Sequence, residues 1–593
     1  MKVYANTGGL IGSAPFICVS SGNSGIYAKP ERANPAGRIK DRAVKSMPDD
    51  THADCRRSKI FRLQTFHQTN PNSTEAPPYA AITAVQDGAT EKRERKKMKA
   101  RLTVLTALIA AAAIITVSCK AAVNNESSAF EESEASDTEV SEEYTEYTGE
   151  VTTYTDSQRA KCLFTVTPLY GDDGVIQRET DINVWGTADK SLEGRRVYVS
   201  YDGSTVFGTV TNGSWKAVLP AHGMLREGTQ LTVTCDAQSL VFENVRCGDV
   251  YLASGQSNMC YYVEYLSGSS RDNINADCDY PDLGFLIVPD QTSTVALDTF
   301  ESRAGWVIPS SKTIAGYHIS STAFLFAREL YKAVDIPIGV VVSAYGGSPI
   351  EYWIDSAHVA EYDLHGYTYP ADNCWNSMIS PLRGFSFKGV IWYQGEGNAY
   401  DPGHYTEYNS ALVRMFRDIF GNEELPFIQV GLPSFSETDF SEIRLAQLEI
   451  ESIGNAWTTV NYDTGNPDDL HPTDKLPVCI RLADMAKEKI YGIDSACTYP
   501  AVKSYSFDGS TVTVVFDSDV TLPDEAVTSL SACDADGNPL TVTVTSSASD
   551  TLVFECSGVA CELRCAMDAR CLPNVITGTE DGLPIRPFVI TAE

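Results

Sequence analysis

Between residues 247 and 495, short unbroken apolar runs alternate with amphipathic stretches, and this alternation limits the possible folds more than any other feature of the chain. The runs are Asp249–Ala253, Ile338–Ser343, Gly389–Tyr393, Phe427–Val430 and Trp457–Asn461. Runs this short, with no polar residue at every second place, read as strands buried on both faces. Between them, Phe324, Ala327, Tyr331 and Val334 form one helical stripe, and Tyr408, Leu412, Met415 and Ile419 form another. A further helix is expected over Val478–Tyr491. Such a region predicts an α/β domain with a parallel sheet covered by helices on both faces. Ligands of these sheets bind beyond the carboxyl ends of the strands, so the loops after the strands are where chemistry is expected.

The flanks follow a different rule. Residues 161–246 contain alternating runs such as Arg196–Tyr201, Thr205–Val210 and Gln230–Thr234, separated by Asp-Gly and Asn-Gly turns. Residues 496–593 contain Ser510–Phe516 and Leu540–Thr545. Both read as β-sandwich domains, one N-terminal and one C-terminal to the α/β domain.

The front of the chain is set apart by charge. The net charge is −32, yet the first 101 residues hold 18 basic against 9 acidic side chains. Lys92–Arg101 is strongly basic, and residues 102–118 carry no charge before Cys119. A basic start, an apolar middle and small residues before a cut describe a secretory signal. Thr116-Val117-Ser118-Cys119 resembles a lipoprotein lipobox, which implies lipidation at Cys119. Residues 98–119 are therefore expected to be a lipoprotein signal peptide. Residues 1–97 are expected to be a disordered, mis-called upstream extension, and 120–160 an acidic disordered tether. The predicted location is the bacterial cell surface, with membrane contact only through the lipid. The acidic balance excludes a nucleic-acid partner, which needs a basic footprint. Of the 16 cysteines, those in the exported part read as disulfides or buried thiols. The run Cys556, Cys561, Cys565, Cys571 lacks the spacing and His partners of a zinc site, and no metal or cofactor is expected.

Four loops carry candidate chemistry. Ser254-Gly-Gln-Ser-Asn-Met259 follows the first strand and exposes Ser257 at a strand-to-helix turn. A serine there is more often a helix cap than a nucleophile unless a base is found. Gly346-Gly347 follows the second strand and offers backbone N–H donors at close range. Gln394-Gly-Glu396-Gly-Asn398 follows the third, with Gln394 as a side-chain donor to an oxyanion and Glu396 and Asn398 as a secondary loop. Asp468-Asp469-Leu470-His471 supplies a base with a carboxylate just upstream. His222, His318, His358, His365 and His404 stand in weaker contexts. The motif is not Gly-x-Ser-x-Gly, so an α/β-hydrolase elbow is not supported.

At these residues the chain resembles the sialate O-acetylesterase family, a branch of the SGNH-type hydrolases. The resemblance rests on Gly248–Met259, Ser343–Trp353, Trp375–Leu382, Lys388–Glu396 and Leu470–Pro472, with Val175–Arg178 and Gly582–Phe588 at the two ends. It implies an SGNH-type three-layer α/β/α catalytic domain over 247–495. It also implies Ser257 as nucleophile, His471 as general base, and the Ser257 N–H, a Gly346 or Gly347 N–H and the Gln394 amide as oxyanion donors. Superfamily spacing selects Asp468 as the acid; spacing in many members of this branch selects Asp469, and some relatives work as Ser-His dyads. The chain departs from the family at Gly397, commonly Ser. The implied reaction is metal-free removal of O-acetyl groups from sialic acid or related glycans. Deacetylation of xylan or another hemicellulose by the same machinery is the alternative, and a non-catalytic glycan-binding lipoprotein is the alternative from a different class.

Overall fold

The computed structural model describes residues 3–5, 17–21, 24–28, 150–154, 156–364, 373–570 and 574–592. The expected signal segment 98–119 with Cys119, the tether up to residue 149, and His365 lie outside the described residues. Within the first 28 residues, where no regular structure was expected, Val3–Ala5, Ile17–Ser21 and Ser24–Ala28 pair as a small antiparallel sheet. Strands of three to five residues are too short for their periodicity to stand out from a polar background. Among the described residues no helix is long and apolar enough to cross a membrane.

Seven strands build the central sheet: β1 (Gln238–Gly255), β2 (Leu283–Ile287), β3 (Trp306–Val307), β4 (Ile338–Ala344), β5 (Gly389–Tyr393), β6 (Phe427–Val430) and β7 (Ala456–Thr459). Their order is β3-β2-β4-β1-β5-β6-β7. All neighbours run parallel except β3 against β2. Every residue of β4 and β5 is buried, as continuous apolar runs require. The expected sheet lacked β2 and β3. The first is an ordinary strand, and the second is a two-residue edge below the reach of pattern reading.

The helices are α1 (Ser257–Cys260), α2 (Gly268–Ala276), α3 (Ser321–Val334), α4 (Ser356–Glu361), α5 (Tyr405–Phe420), α6 (Ser441–Leu448) and α7 (Leu476–Tyr491). Register shows that they cover both faces. Tyr251 of β1 packs on Phe326 of α3 and its hydroxyl meets that of Tyr491 of α7 at 2.9 Å. Ser254 of β1 pairs with Trp392, one residue out of phase with Tyr251, and Trp392 packs on Phe416 of α5. Side chains alternate along a strand, so α3 and α7 cover one face and α5 the other. The result is three layers.

The N-terminal β region is continuous with the central sheet. β1 is one strand of 18 residues, and the expected boundary at 246/247 falls inside it. Its first half pairs antiparallel with Leu225–Cys235, and its second half is the centre of the parallel sheet. The junction is pinned where Val175–Gln177 adds to β1. There the Arg178 Nε lies 2.9 Å from the buried Asp249 carboxylate, which also accepts from the Tyr491 hydroxyl at 2.9 Å. The tether also ends earlier than expected. Thr152–Tyr154 extends the edge at Gln238–Leu240, and Arg159 donates to Asp172 and to the Val241 carbonyl. Residues 502–591 form two four-stranded antiparallel sheets, and the expected run at Leu540 breaks into Pro539–Leu540 and Val542–Ala548. Cysteines with described side chains such as Cys162, Cys235, Cys247, Cys260, Cys278 and Cys479 are free thiols.

Candidate active site

β1 lies between β4 and β5, the strands where the sheet order reverses. A crevice therefore opens beyond the carboxyl end of β1. Gly255 ends the strand at φ +133°, and a Cβ there would stand 2.2 Å from the Tyr393 carbonyl oxygen. Only glycine fits, and the chain turns sharply enough to present Ser257 at the start of α1. The turn is gripped from behind by the first residues of α3. Ser321 Oγ donates to the Tyr261 carbonyl at 2.7 Å and Thr322 Oγ1 to the Asn258 carbonyl at 2.8 Å.

The half-buried Ser257 Oγ lies 2.8 Å from His471 Nε2. The two residues are 214 positions apart in sequence. His471 packs parallel to Tyr261, with ring centroids 6.0 Å apart and planes at 16°. Burial and the nearby Lys475 ammonium lower the pKa of His471, against a smaller upward pull from Asp469. The imidazole is thus neutral and able to accept a proton below its usual range. A Cβ on Gly346 would be 3.9 Å from Ser257 Cβ, so the loop after β4 closes over the serine. Gly347, at φ +73°, completes that turn. Among the described residues the backbone N–H groups of Ser257 and Gly346 donate to no acceptor, which leaves them available to an oxyanion.

Gln394 is not placed as expected. It is fully buried, its Nε2 donates to Asn398 Oδ1 at 2.7 Å and to the Ser348 carbonyl at 3.3 Å, and its Oε1 accepts from Tyr405 at 2.9 Å. Its amide is used to brace the loop after β4, so it is no oxyanion donor in this geometry. Asn398 is part of the same brace. Its Oδ1 accepts from the Ile350 N–H and its Nδ2 donates to Glu351, at 2.9 and 2.8 Å. At Gly397 a Cβ would meet the Ser348 carbonyl at 3.0 Å and Gln256 Oε1 at 3.2 Å. Gly397 thus stands where two loops come close together, and its N–H donates to Gln256 at 3.0 Å.

The acid assignment also changes. Asp468 points away from the imidazole: its side chain is 68% exposed and pairs with Arg570 at 2.9 Å. Asp469 closes a turn with Asn466 and accepts from the His471 backbone N–H at 2.9 Å. Asp468 sits within that turn and faces solvent, whereas Asp469, two places before the histidine, closes it and is half-buried. Among the described residues no carboxylate lies within ion-pair distance of the His471 ring. Asp468→Asn should therefore leave kcat within about twofold, as expected for an exposed pair. Asp469→Asn should lower it by about tenfold, because a charge-assisted bond becomes a neutral one. Removing the negative charge lowers the His471 pKa further, so the acid limb of the Asp469→Asn rate profile moves to lower pH. A larger loss in Asp468→Asn would reverse the assignment.

Residues 247–486 match the family described as carbohydrate esterase, sialic acid-specific acetylesterase. They belong to that family. The sialate O-acetylesterase of Pongo abelii is 32% identical over 293 residues, covering 43% of this chain and 55% of that protein. The Homo sapiens sialate O-acetylesterase is 31% identical over 291 residues, with the same coverage of 43% and 55%. The chain thus spans about half the length of the curated relatives it matches. A carbohydrate acetylesterase from Xanthomonas citri superposes with a TM-score of 0.66 at 29% identity, over 72% of this chain and all of that one. That match extends well past the esterase-family domain into the flanking β regions.

Three residues of the esterase-family domain were not assigned roles by sequence reading. Asn258, next to the nucleophile candidate, donates from Nδ2 to Glu396 Oε1 at 2.5 Å and to the Leu470 carbonyl at 3.1 Å. Its Oδ1 accepts from the buried Lys475 ammonium. Tyr261 stacks on His471 and also has that ammonium 5.2 Å from its ring centroid. Asn258 was legible as a motif position only, and Lys475 and Tyr261 gave no signal beyond lying near the motifs.

Proposed function

We propose that this chain is a carbohydrate acetylesterase that removes O-acetyl groups from sialic acid or a related glycan through a serine acetyl-enzyme. The observation that carries this reading is the 2.8 Å Ser257 Oγ to His471 Nε2 contact at the point where the sheet order reverses. His471 takes the proton from Oγ as the oxygen attacks the acetyl carbonyl. The Ser257 and Gly346 N–H groups hold the oxyanion, and the tetrahedral adduct collapses as His471 Nε2 returns the proton to the departing sugar oxygen. A water deprotonated by the same nitrogen then attacks the acetyl-serine and releases acetate. Export and anchoring through a lipid on Cys119 are part of this proposal, motivated by the segment 98–119.

The sugar has a place to bind. A cavity of about 240 Å³ is lined by Tyr262, Asp290, Arg303, Tyr317 and His318 among others. Aromatic contacts lead to it from the site: Tyr261 to Tyr265 at 6.0 Å, Tyr265 to Tyr262 at 5.4 Å, Tyr262 to His318 at 4.8 Å. His318 is held at φ +56°, with its Nδ1 2.6 Å from Glu264. Such a wall of rings suits a pyranose, and Arg303, 3.6 Å from Asp290, is the cation that a sugar carboxylate would share with it.

The test is acetate release from 9-O-acetyl sialic acid, from acetylated xylan and from p-nitrophenyl acetate. The sialic acid ester should be favoured, and a fluorophosphonate should label Ser257. Arg303→Ala should raise KM for the sialic acid ester by about tenfold, the worth of one charge-assisted contact, and leave p-nitrophenyl acetate unaffected. Labelling at a different serine would end the mechanism, and preference for xylan would end the substrate assignment.

A further inference from the structure

We propose that Asn258, Lys475 and Glu396 act as a positioning unit for His471, holding the histidine by its main chain where no carboxylate holds its ring. This rests on the esterase reading above.

The argument begins with the two ends of one amide. Asn258 Oδ1 faces an ammonium and Nδ2 faces a carboxylate, so only one orientation of the side chain satisfies both partners. That orientation aims the second Nδ2 hydrogen at the Leu470 carbonyl, the residue before His471. From the other side, the His471 N–H is held by Asp469. The Leu470–His471 peptide group is thus fixed from both sides, to α1 through its carbonyl and to the Asn466–Asp469 turn through its N–H, and the ring's plane is set by Tyr261. Because Asn258 directly follows Ser257, the clamp ties nucleophile and base to the same four-residue helix.

Both charged partners are unusual. Lys475 is 2% exposed and, among the described residues, makes no ion pair. Its neighbours are Asn258 from α1, the rings of Tyr261 and Tyr393, and, at longer range, Glu396, Asp469, Asp474 and the Cys479 thiol. Burial pushes its pKa down to about 8. Glu396 has its second carboxylate oxygen buried without a hydrogen bond, and burial raises its pKa. Charged groups placed so, beside a reacting pair and not used by it, are costly to hold unless they do something. The position of Lys475 gives it two effects. It fixes the Asn258 amide, and its charge, close to the imidazole, disfavours the imidazolium before substrate arrives.

The experiment is the pH profile of kcat and KM for p-nitrophenyl acetate, using full-length protein and subtracting the rate of Ser257→Ala. In the wild type, activity should fall on the alkaline side near pH 8 as Lys475 loses its proton. Glu396→Gln keeps the shape and an acceptor for Asn258 but removes a charge that raises the Lys475 pKa, so the alkaline limb should move to lower pH. Lys475→Met should remove that limb and move the acid limb, set by His471, to higher pH. Asn258→Leu should lower kcat by about 10²-fold, the size expected for slight misplacement of a base, with KM within about twofold. Lys475→Arg should restore part of what Lys475→Met loses. Wild-type limbs in Glu396→Gln and Lys475→Met, or an unchanged kcat in a folded Asn258→Leu, would overturn the proposal. If Lys475→Met does not fold, the near-isosteric Glu396→Gln profile decides alone. An inactive wild type would instead overturn the esterase reading itself.

Discussion

Ser257→Ala is expected to lower kcat for p-nitrophenyl acetate by about 10⁴–10⁶, the range for loss of a nucleophile in serine hydrolases, with little change in thermal midpoint. The Oγ makes one side-chain bond, to His471 Nε2, and the residue is half-buried at the lip of the crevice. Removing one hydroxyl there creates no cavity and orphans no buried donor, so the stability cost should stay within the usual surface range. What disappears is the covalent route. The free N–H groups of Ser257 and Gly346 remain, so a residual rate above water should survive, carried by oxyanion stabilisation. Retention of a tenth or more of wild-type kcat in a folded variant would show that Ser257 is not the nucleophile.

His471→Ala is expected to cost a similar factor, and the double variant no more than either single one, because nucleophile and base act as one unit. Additive losses would contradict a shared step. Before that comparison, the wild-type acid limb is informative. Burial and Lys475 both disfavour the imidazolium, so the group is free base at pH values where an ordinary histidine is half protonated. Activity should thus persist below pH 6.5, the ordinary histidine value, and decline only as the imidazole gains its proton. A limb above 6.5 would mean that a negative charge dominates at the ring, as a carboxylate on Nδ1 would impose.

Ser257 and His471 could be read in the sequence because each follows a strand that announces itself, and a parallel sheet delivers the ends of its strands to one edge. Gln394 followed the same logic and came out wrong for a local reason. It continues the alternation of β5, in which Trp392 faces α5 and Tyr393 faces Lys475. Gln394 therefore shares the side of Trp392 and meets Tyr405, beneath the site and not in it. Asp468 failed because spacing from the histidine states distance along the chain and not direction. The Asn258 clamp was out of reach altogether: its partners lie 138, 212 and 217 residues away, and no periodicity links them. The β2 strand, Leu283–Ile287, was in principle visible as a short apolar run, and only its isolation among polar loops concealed it.

The strand that joins the N-terminal β region to the central sheet has a mechanical consequence. Its eighteen residues run from the N-terminal strands into the central sheet, bent at Asn244, where φ is +54° and the pairing register shifts, with Ser257 just past its end. A join of this kind resists pivoting, because movement would shear the ladders that flank the bend on either side. Unfolding the N-terminal strands should drag the nucleophile turn with it, so the two regions should melt as one cooperative block. The crevice is therefore presented as one face with the N-terminal strands. Adaptation to a ligand must then come chiefly from the ligand or from movement of the whole body, and little from flexing between its parts.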